Sequence, residues 1–274
     1  MRRVLIAGCG YVGTATADLF HRSGWEVEGW TSSEESAREL ARKPYPVHAV
    51  DFTSADAIQS PGKFDAVIHC ASSRGGGADA YRRIYLEGAK NLAASYPDSL
   101  LLFTSSTSVY AQHNGEWVTE DSPAEPGTET GRILRETEEF LLARGGVIAR
   151  LAGIYGPGRS ALLRKFLAGS ATIDPEPRFL NQAHRDDIAT ALVLLTERAA
   201  AGIYNVSDNH PILQRDAYAW LAAHLGRPLP PTVAPAAERK RGNTNKRVSS
   251  DKLQALGWHP RYPTFATAMT AASL

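Results

Sequence analysis

Short apolar segments alternate with amphipathic segments through the first two thirds of the chain. A short continuous apolar run is typical of a buried strand, whereas apolar residues repeated every three or four positions indicate a helix. The apolar runs predict strands at residues 4–7, 26–31, 47–51, 66–71, 100–105 and 146–151. Helical spacing is found at residues 11–23, 33–42, 78–95 and 129–144. This alternation predicts an α/β fold whose doubly wound parallel sheet is covered by helices on both faces.

The alternation ends after residue 151. Glycines and a proline interrupt the chain there, at Gly153, Gly156, Pro157 and Gly158. Shorter elements follow, including helical patterns near residues 186–197 and 214–225. We therefore predict a main domain at residues 1–151. A smaller C-terminal lobe takes most of residues 152–274, with some segments returning to the main domain.

The amino-acid composition limits the kinds of partner that the protein is expected to bind. The 274 residues include 30 basic and 29 acidic side chains, so bulk charge predicts no attraction to nucleic acid or to a membrane surface. No apolar run approaches the ~20 residues that a membrane-spanning helix needs, and no secretory signal pattern is present. Cys9 and Cys70 lie in or beside predicted strands and make no disulfide framework. We expect a cytoplasmic protein.

A glycine pattern joins the first predicted strand to the first predicted helix. Gly8 permits a tight turn, Gly10 lets the backbone approach a pyrophosphate, and Gly13 allows the helix to pack closely on the sheet. The first helical turn, with Tyr11 and Val12, then directs its N–H groups and the positive end of its dipole at the phosphates. The pattern predicts that these five residues bind a dinucleotide. The alternative is a tight strand-to-helix turn without a ligand.

Further segments match one protein family in order and spacing. They are residues 8–13, 64–71, 104–110, 120–123, 150–158, 184–189, 202–206, 246–248 and 256–258. With them the chain resembles the extended short-chain dehydrogenase/reductases, also called the NAD-dependent epimerase/dehydratases. The resemblance covers essentially the whole chain. It implies a Rossmann-like sheet that binds NAD or NADP and a C-terminal substrate lobe.

The catalytic residues of that family are only partly present. The resemblance places the family serine at Ser106, the tyrosine of its Tyr-x-x-x-Lys pair at Thr130 and the lysine at Leu134. The asparagine that often accompanies them corresponds to Tyr85. Thr130 has no proton as acidic as a phenol whose pKa of ~10 is lowered by a lysine, and Leu134 carries no positive charge. The chain therefore resembles an atypical member of the family that lacks the pair.

Four residues are candidates for the catalytic role: Ser106, Tyr85, Tyr110 and Thr130. Tyr85 is predicted on the helix that lines the active site, and the alternative, which we favour, is an aromatic packing residue. Tyr110 ends a motif and either reaches the pocket or packs under the nicotinamide. Ser106 lies at the carboxyl end of a strand, where open α/β sheets bind ligands, and it either contacts substrate or bonds to local backbone.

The second predicted strand ends in hydroxyl side chains rather than in the acidic residue usual for NAD. Thr31, Ser32 and Ser33 could accept a 2′-phosphate, which favours NADP. NAD stays open, because no arginine stands directly there and Glu34 and Glu35 are close. The resemblance adds further cofactor contacts, with Asp51 and Phe52 at the adenine and Cys70, Ala71 and Ser72 along the pyrophosphate and ribose.

These features predict an oxidoreductase or epimerase-like enzyme that acts on a small carbonyl or hydroxyl metabolite through non-standard acid–base residues. The main alternative is a binding protein that senses NADP(H) or a metabolite, and a third reading is a lyase or isomerase that keeps the cofactor as a structural element. The basic residues 239–241, Lys246 and Arg247 form a local cluster, for which a solvated surface is the default interpretation, and Arg247 is the candidate contact of an anionic substrate. We interpret residues 184–187 as a helix start rather than a metal site. Relatives often form homodimers, but the sequence leaves the oligomeric state open.

Overall fold

The computed structural model describes residues 1–58, 62–73, 75–234 and 244–271. The basic residues 239–241, which the sequence grouped with Arg247 in a basic cluster, lie outside the described residues.

Seven parallel strands form the central sheet of the described chain. They are β1 (Arg3–Ala7), β2 (Glu26–Thr31), β3 (Val47–Ala49), β4 (Ala66–His69), β5 (Leu100–Ser106), β7 (Val147–Leu151) and β11 (Gly202–Val206). Their order across the sheet is β11-β7-β5-β4-β1-β2-β3. The chain winds outward in both directions from β1 and β4, which leaves a crevice at the carboxyl ends of these two strands. The predicted Rossmann-like, doubly wound α/β fold is confirmed.

Helices cover both faces of this sheet. They are α1 (Tyr11–Arg22), α2 (Glu34–Glu39), α3 (Ala78–Tyr81), α4 (Gly88–Ser95), α5 (Glu129–Leu142) and α7 (Arg185–Glu197). Val4 and Ile6 of β1 belong to one apolar cluster with residues of α1 and α7, whereas Leu5 belongs to a cluster on the other face. Successive strand residues point to opposite faces, so a strand covered on both sides is apolar throughout.

The predicted helix at residues 78–95 contains a π-helical segment at Arg82–Glu87, between α3 and α4. A π segment holds an extra residue in its turn and changes the direction of the side chains that follow. This segment carries Tyr85, one of the candidate catalytic residues.

The smaller lobe is built from short elements. Its strands pair as β8 (Gly153–Tyr155) with β10 (Gln182–His184) and β9 (Phe179–Leu180) with β12 (Ile212–Leu213). A further pair, β6 (Glu116–Val118) with β13 (Lys246–Val248), buries Val118 and Val248 in an apolar cluster with residues of β5 and α5. The helices of the smaller lobe are α6 (Ala161–Leu167), α8 (Gln214–Leu225) and α10 (Phe265–Ala271), whereas α9 (Asp251–Ala255) packs against β11 and buries Leu253 in the core of the main sheet. Phe166, Tyr218 and Phe265 share an apolar core in the smaller lobe. β11, from the C-terminal half of the chain, lies in the main sheet. No helix within the described ranges could cross a membrane.

A buried ion pair fixes α5 against the sheet. The Arg150 side chain is 1% exposed and the Glu138 side chain 0%. Arg150 donates two hydrogen bonds to the Glu138 carboxylate, from Nε at 3.0 Å and from Nη2 at 2.7 Å. The Ser105 hydroxyl donates to the same carboxylate at 2.5 Å. Paired donors of this kind fix the position of both partners. The pair therefore holds α5 in a defined position next to the end of β5.

Candidate dinucleotide and substrate site

The turn after β1 can be formed only with glycine at two positions. Gly8 has a φ of +109°, and a Cβ built on it would lie 2.3 Å from the Ala71 amide nitrogen. A Cβ on Gly13 would lie 2.1 Å from the Gly8 carbonyl oxygen. These close contacts bring the ends of β1 and β4 together and draw α1 onto the turn. They agree with the roles that the glycine spacing predicted for the strand-to-helix turn.

Gly10 differs from the other two glycines because its Cβ position is open, with no atom within 4 Å. It precedes the first turn of α1, where the N–H groups of Tyr11, Val12 and Gly13 have no acceptor within the helix. That turn holds no acidic residue, and no side chain caps it. An open position beside unpaired amides at a positive helix end fits a diphosphate. The residues present therefore fit a bound dinucleotide.

Tyr11 connects the glycine turn with the smaller lobe. Its hydroxyl donates to the Pro157 carbonyl at 3.1 Å. The guanidinium groups of Arg159 and Arg185 each lie 5.1 Å from the centre of its ring. Arg185 also pairs with Asp186 at 2.8 Å. The turn thus has two positive side chains near it, Arg159 and Arg185 at the start of α7, in addition to its own helix dipole.

The end of β2 presents hydroxyl groups that are mostly used locally. Thr31 is buried and donates to the Ser33 carbonyl at 3.1 Å. The Ser33 hydroxyl caps α2 by accepting from the Ser36 N–H at 3.3 Å. Ser32 is exposed, and Glu34 and Glu35 occupy the first turn of α2. The end of β2 therefore has no acidic side chain at positions 31–33, but the carboxylates of Glu34 and Glu35 are close to it.

Asp51 and Phe52, the two predicted adenine contacts, differ in their exposure to solvent. Asp51 is exposed and accepts hydrogen bonds from the N–H and the hydroxyl of Thr53 at 3.2 and 2.7 Å. Phe52 is buried, with its ring edge-on to His69 at 5.1 Å between centroids. The Phe52 ring is thus part of the core beneath the site rather than an open surface.

The segment that follows β4 lies directly beside the glycine turn. Burial raises the pKa of the Cys9 thiol to about 12 and also raises that of Cys70. Both thiols therefore remain protonated near neutral pH and act as small apolar residues. Ala71 contacts Gly8, as described above, and Ser72 follows it. This segment lines the crevice between β1 and β4.

Tyr85 reaches the same segment from the π-helical turn. Its ring packs against His69, Tyr81 and Phe103. Its hydroxyl accepts a hydrogen bond from the Ser73 N–H at 3.2 Å. The ring of Tyr85 therefore packs in the core, while its hydroxyl meets the edge of the crevice. The packing role and the catalytic role predicted for this side chain are compatible.

Ser106 ends β5, at the same edge of the sheet. Its hydroxyl oxygen accepts from the Ser108 N–H at 3.1 Å and caps the short turn Thr107–Val109. The hydroxyl thus makes the local backbone bond that was one of its two predicted roles. The Ser106 side chain is partly exposed. Its hydroxyl proton is not part of this hydrogen bond and faces a neighbouring group or solvent.

The position of Tyr110 corrects the view of this residue as a catalytic candidate. Its side chain is fully buried, at 0% exposure. Its hydroxyl donates to Asn205 Oδ1 at 2.9 Å and accepts from Arg150 Nη1 at 2.9 Å. A phenol enclosed in this way cannot contact a substrate. Tyr110 belongs to the network that includes the Arg150–Glu138 pair.

The α5 helix contains neither tyrosine nor lysine. Thr130 lies in its first turn, with its hydroxyl 3.4 Å from that of Thr128, which caps the helix. Leu134, one turn further on, is buried in an apolar cluster with Tyr85 and Phe103. The surroundings of Leu134 are apolar, so no charged group replaces a lysine at this point of the helix.

Residues 184–187 form a helix start, as the sequence indicated. His184 Nδ1 accepts from the Asp186 N–H at 3.2 Å, and burial lowers the His184 pKa, which keeps the ring neutral. The Asp187 carboxylate accepts the N–H groups of Arg261 and Tyr262. Among residues 1–58, 62–73, 75–234 and 244–271, no group of three His, Cys, Asp or Glu side chains is arranged to hold a metal ion.

Lys246, which the sequence grouped with Arg247 in a basic cluster and assigned to a solvated surface, is a buried cation. It is 5% exposed, and its ammonium group donates to the Tyr110 carbonyl at 2.9 Å and to the Thr244 hydroxyl at 2.8 Å. The sequence pointed instead to Arg247, which bonds to the Gly115 carbonyl and lies against the rings of Trp117 and Phe179. Successive residues of a strand point to opposite faces, which would have placed Lys246 and Arg247 on different sides. The strand β13, however, is too short to be predicted from the sequence.

The doubly wound sheet and the glycine turn define a Rossmann-like α/β protein. The NAD dependent epimerase/dehydratase family model matches residues 4–207. The chain therefore belongs to the NAD-dependent epimerase/dehydratase family.

Individual relatives agree with this assignment. Protein YeeZ of Escherichia coli strain K12 is 33% identical over 227 residues, which cover 77% of this chain and 80% of YeeZ. The UDP-glucose 4-epimerase of Thermus thermophilus, solved with NAD, is similar with a TM-score of 0.81 at 22% identity, over 97% of this chain and 96% of that one. The Bordetella bronchiseptica enzyme WbmG, also solved with NAD, has a TM-score of 0.82 at 20% identity, over 98% and 91% of the two chains. At such identities these two structures show the shared fold.

Proposed function

We propose that this protein binds a nicotinamide dinucleotide across the β1–β4 crevice and acts as an oxidoreductase or epimerase-like enzyme on a small carbonyl or hydroxyl metabolite. The observation that carries the proposal is the contrast between the glycines of the turn. Gly8 and Gly13 are required by the fold itself, whereas the Cβ position of Gly10 is open beside first-turn amides that have no acceptor within the helix. Family membership and the NAD bound to the two structural neighbours support the same ligand class.

We favour NADP over NAD as the dinucleotide. The support is the absence of an acidic side chain at positions 31–33, where NAD-binding sites usually place one for the ribose hydroxyls. The carboxylates of Glu34 and Glu35 oppose a 2′-phosphate, so the preference is expected to be modest.

The proposed acid–base groups are Ser106 and Tyr85, with Thr130 as a further candidate. A bound nicotinamide supplies hydride acceptance and return. The chain must then exchange a proton with the substrate oxygen. Ser106 lies at the carboxyl edge of β5, and the Tyr85 hydroxyl meets the segment after β4, so both belong to the rim of the crevice. Thr130 lies at the start of α5.

Fluorescence titration with NADPH and with NADH tests the binding proposal. A methyl group on Gly10 meets no protein atom but enters the space assigned to the diphosphate. Gly10→Ala is therefore expected to fold normally and to weaken dinucleotide binding at least tenfold, about 1.4 kcal/mol. Gly127→Ala is the matched control, because its Cβ position is also open. No binding to the wild-type protein, or equal affinity in Gly10→Ala, would contradict the proposal.

A screen of carbonyl substrates with the bound coenzyme then tests the chemistry. Ser106→Ala or Tyr85→Phe is expected to lower turnover by about 10²–10⁴-fold, the usual contribution of a positioned proton donor. Turnover that neither change reduces would exclude both residues as the acid–base groups.

A second function is a coenzyme- or metabolite-sensing protein without redox turnover. The specific observation in its favour is α5, which carries neither tyrosine nor lysine and buries Leu134 in apolar surroundings. Dinucleotide binding without turnover across the screen would favour this function. A homodimer is proposed from the family resemblance alone, and sedimentation of the purified protein tests it.

A further inference from the structure

The π-helical turn Arg82–Glu87 is bonded to the sheet by a side chain of β4. His69, the last residue of β4, is 3% exposed, and its Nε2 lies 3.0 Å from the Ile84 carbonyl oxygen. Burial lowers the His69 pKa to about 4, so the ring is neutral near neutral pH. Because a carbonyl oxygen only accepts, the ring carries its proton on Nε2 and donates it to Ile84. A side chain that enters the hydrogen-bond ladder of a helix from outside is a known cause of local distortion.

The chain after the turn packs tightly on the same histidine. A Cβ built on Gly88, the first residue of α4, would lie 2.6 Å from Phe52 Cε2 and 3.6 Å from His69 Nε2. The Phe52 and Phe103 rings each lie 5.1 Å from the His69 ring between centroids. His69 is therefore enclosed between the end of β4 and the turn, and its ring is held in one place.

The geometry of this turn decides where the Tyr85 hydroxyl lies. Tyr85 directly follows Ile84 in the turn. Each residue of a regular α-helix rotates the chain by about 100°, so a turn with one residue fewer would direct Tyr85 elsewhere. In the observed turn the Tyr85 hydroxyl accepts the Ser73 N–H at 3.2 Å, at the edge of the crevice. The proton of that hydroxyl is not part of this bond.

We propose that His69 is a positioning residue: its bond to the Ile84 carbonyl holds the π-helical turn, and the turn directs the Tyr85 hydroxyl to the crevice between β1 and β4. This inference deepens the proposed function and rests on it, since it identifies the group that aims a proposed proton donor. His69 is buried beneath the crevice and acts through Tyr85.

Amide hydrogen exchange, followed by NMR on the full chain, reports the position of the Tyr85 hydroxyl without a substrate. The Ser73 N–H is protected by its bond to that hydroxyl. Tyr85→Phe removes the acceptor, and the Ser73 amide is expected to exchange about tenfold faster in this variant, the usual effect of one hydrogen bond. His69→Met cannot donate to Ile84 and is expected to reach the same rate.

Two control variants separate positioning from a general loss of stability. His69→Gln carries an N–H about as far from its backbone as Nε2 of histidine, so it is expected to keep the Ser73 amide protected. Leu192→Ala leaves a cavity in the apolar cluster on the other face of the sheet, and it is also expected to keep that protection. If His69→Met does not fold, His69→Asn replaces it, because its shorter side chain keeps the amide away from the Ile84 carbonyl.

Kinetics with a substrate from the carbonyl screen test whether His69 acts through Tyr85. His69→Met is expected to lower kcat about tenfold or more with the KM for coenzyme nearly unchanged, and His69→Gln is expected to recover kcat. The double variant His69→Met/Tyr85→Phe is expected to be no slower than Tyr85→Phe, since both changes act on one hydroxyl.

The outcomes separate this inference from the proposed function. Protection of the Ser73 amide that survives in His69→Met, or that is lost equally in His69→Gln or Leu192→Ala, overturns the positioning role of His69. Turnover that Tyr85→Phe leaves unchanged overturns the catalytic role proposed for Tyr85. Failure of the wild-type protein to bind coenzyme overturns the proposed function and leaves the exchange rates of the Ser73 amide unaffected.

Discussion

Arg150 shows how one residue holds several elements together. It bonds to Glu138 on α5 and to the Tyr110 hydroxyl, and its side chain is almost fully enclosed. Without Arg150 the buried Glu138 carboxylate loses two hydrogen bonds and keeps only those from Arg135 and Ser105, so its charge is less well compensated. Arg150→Ala is therefore expected to lower the free energy of unfolding by about 3–5 kcal/mol, measured by urea denaturation.

The matched control for that change is an exposed ion pair that also involves α5. Arg82 and Glu136 lie 3.2 Å apart with side chains about half exposed, and Arg82→Ala is expected to cost about 0–1 kcal/mol. A loss in Arg150→Ala no larger than that of the control would show that the buried pair is not required for stability.

The role of a residue could be predicted from the sequence where that role depends on the spacing of residues within one short segment. The glycines of the turn are such a case, because each is defined by a local contact in one short segment. The place of Tyr110 was not predictable, since its two partners, Arg150 and Asn205, come from distant strands. The burial of Lys246 was not predictable for a similar reason, because the burial of a strand residue depends on the elements that cover it.

At the scale of elements, the start of α5 separates a structural threonine from a candidate catalytic one. Thr128 caps the helix by accepting the Gly131 N–H at 3.2 Å, whereas Thr130 lies inside the first turn. Thr128→Ala is expected to lower the free energy of unfolding by about 1 kcal/mol, and Thr130→Ala to change it by less than about 0.5 kcal/mol. Urea denaturation of both variants checks this, and equal losses would argue against the cap.

The length of an element decided whether the sequence could predict it. The strands of the main sheet and α1 and α5 carry enough apolar residues for a clear period, and the structure has them close to the expected positions. The paired strands of the smaller lobe have two or three residues each, which is too short for any period. The π-helical turn at Arg82–Glu87 was also missed, because one extra residue barely changes an apolar pattern.

At the scale of the whole molecule, Asp208 stands where the main sheet meets the smaller lobe. It follows β11, its N–H donates to the Gln182 carbonyl on β10, and it is 3% exposed. Burial raises its pKa from 3.8 to about 7, and the nearby Asp187 acts in the same direction. The folded state therefore keeps a proton that the unfolded chain releases between these two values. The free energy of unfolding is expected to fall as pH rises through that window.

Asp208→Asn tests this linkage, because asparagine can still accept the His210 N–H through its carbonyl oxygen and carries no charge. The variant is expected to gain stability relative to wild type from pH 4 to pH 7, by at most about 4 kcal/mol at 1.36 kcal/mol per pKa unit, and the difference should stay constant above pH 7. Asp216→Asn, at an exposed position on α8, is the control and should follow the wild type at every pH. Urea denaturation across pH 4–8 measures both. A difference independent of pH would show that Asp208 is not protonated in the folded state, and that the junction of the two lobes tolerates an ionised carboxylate.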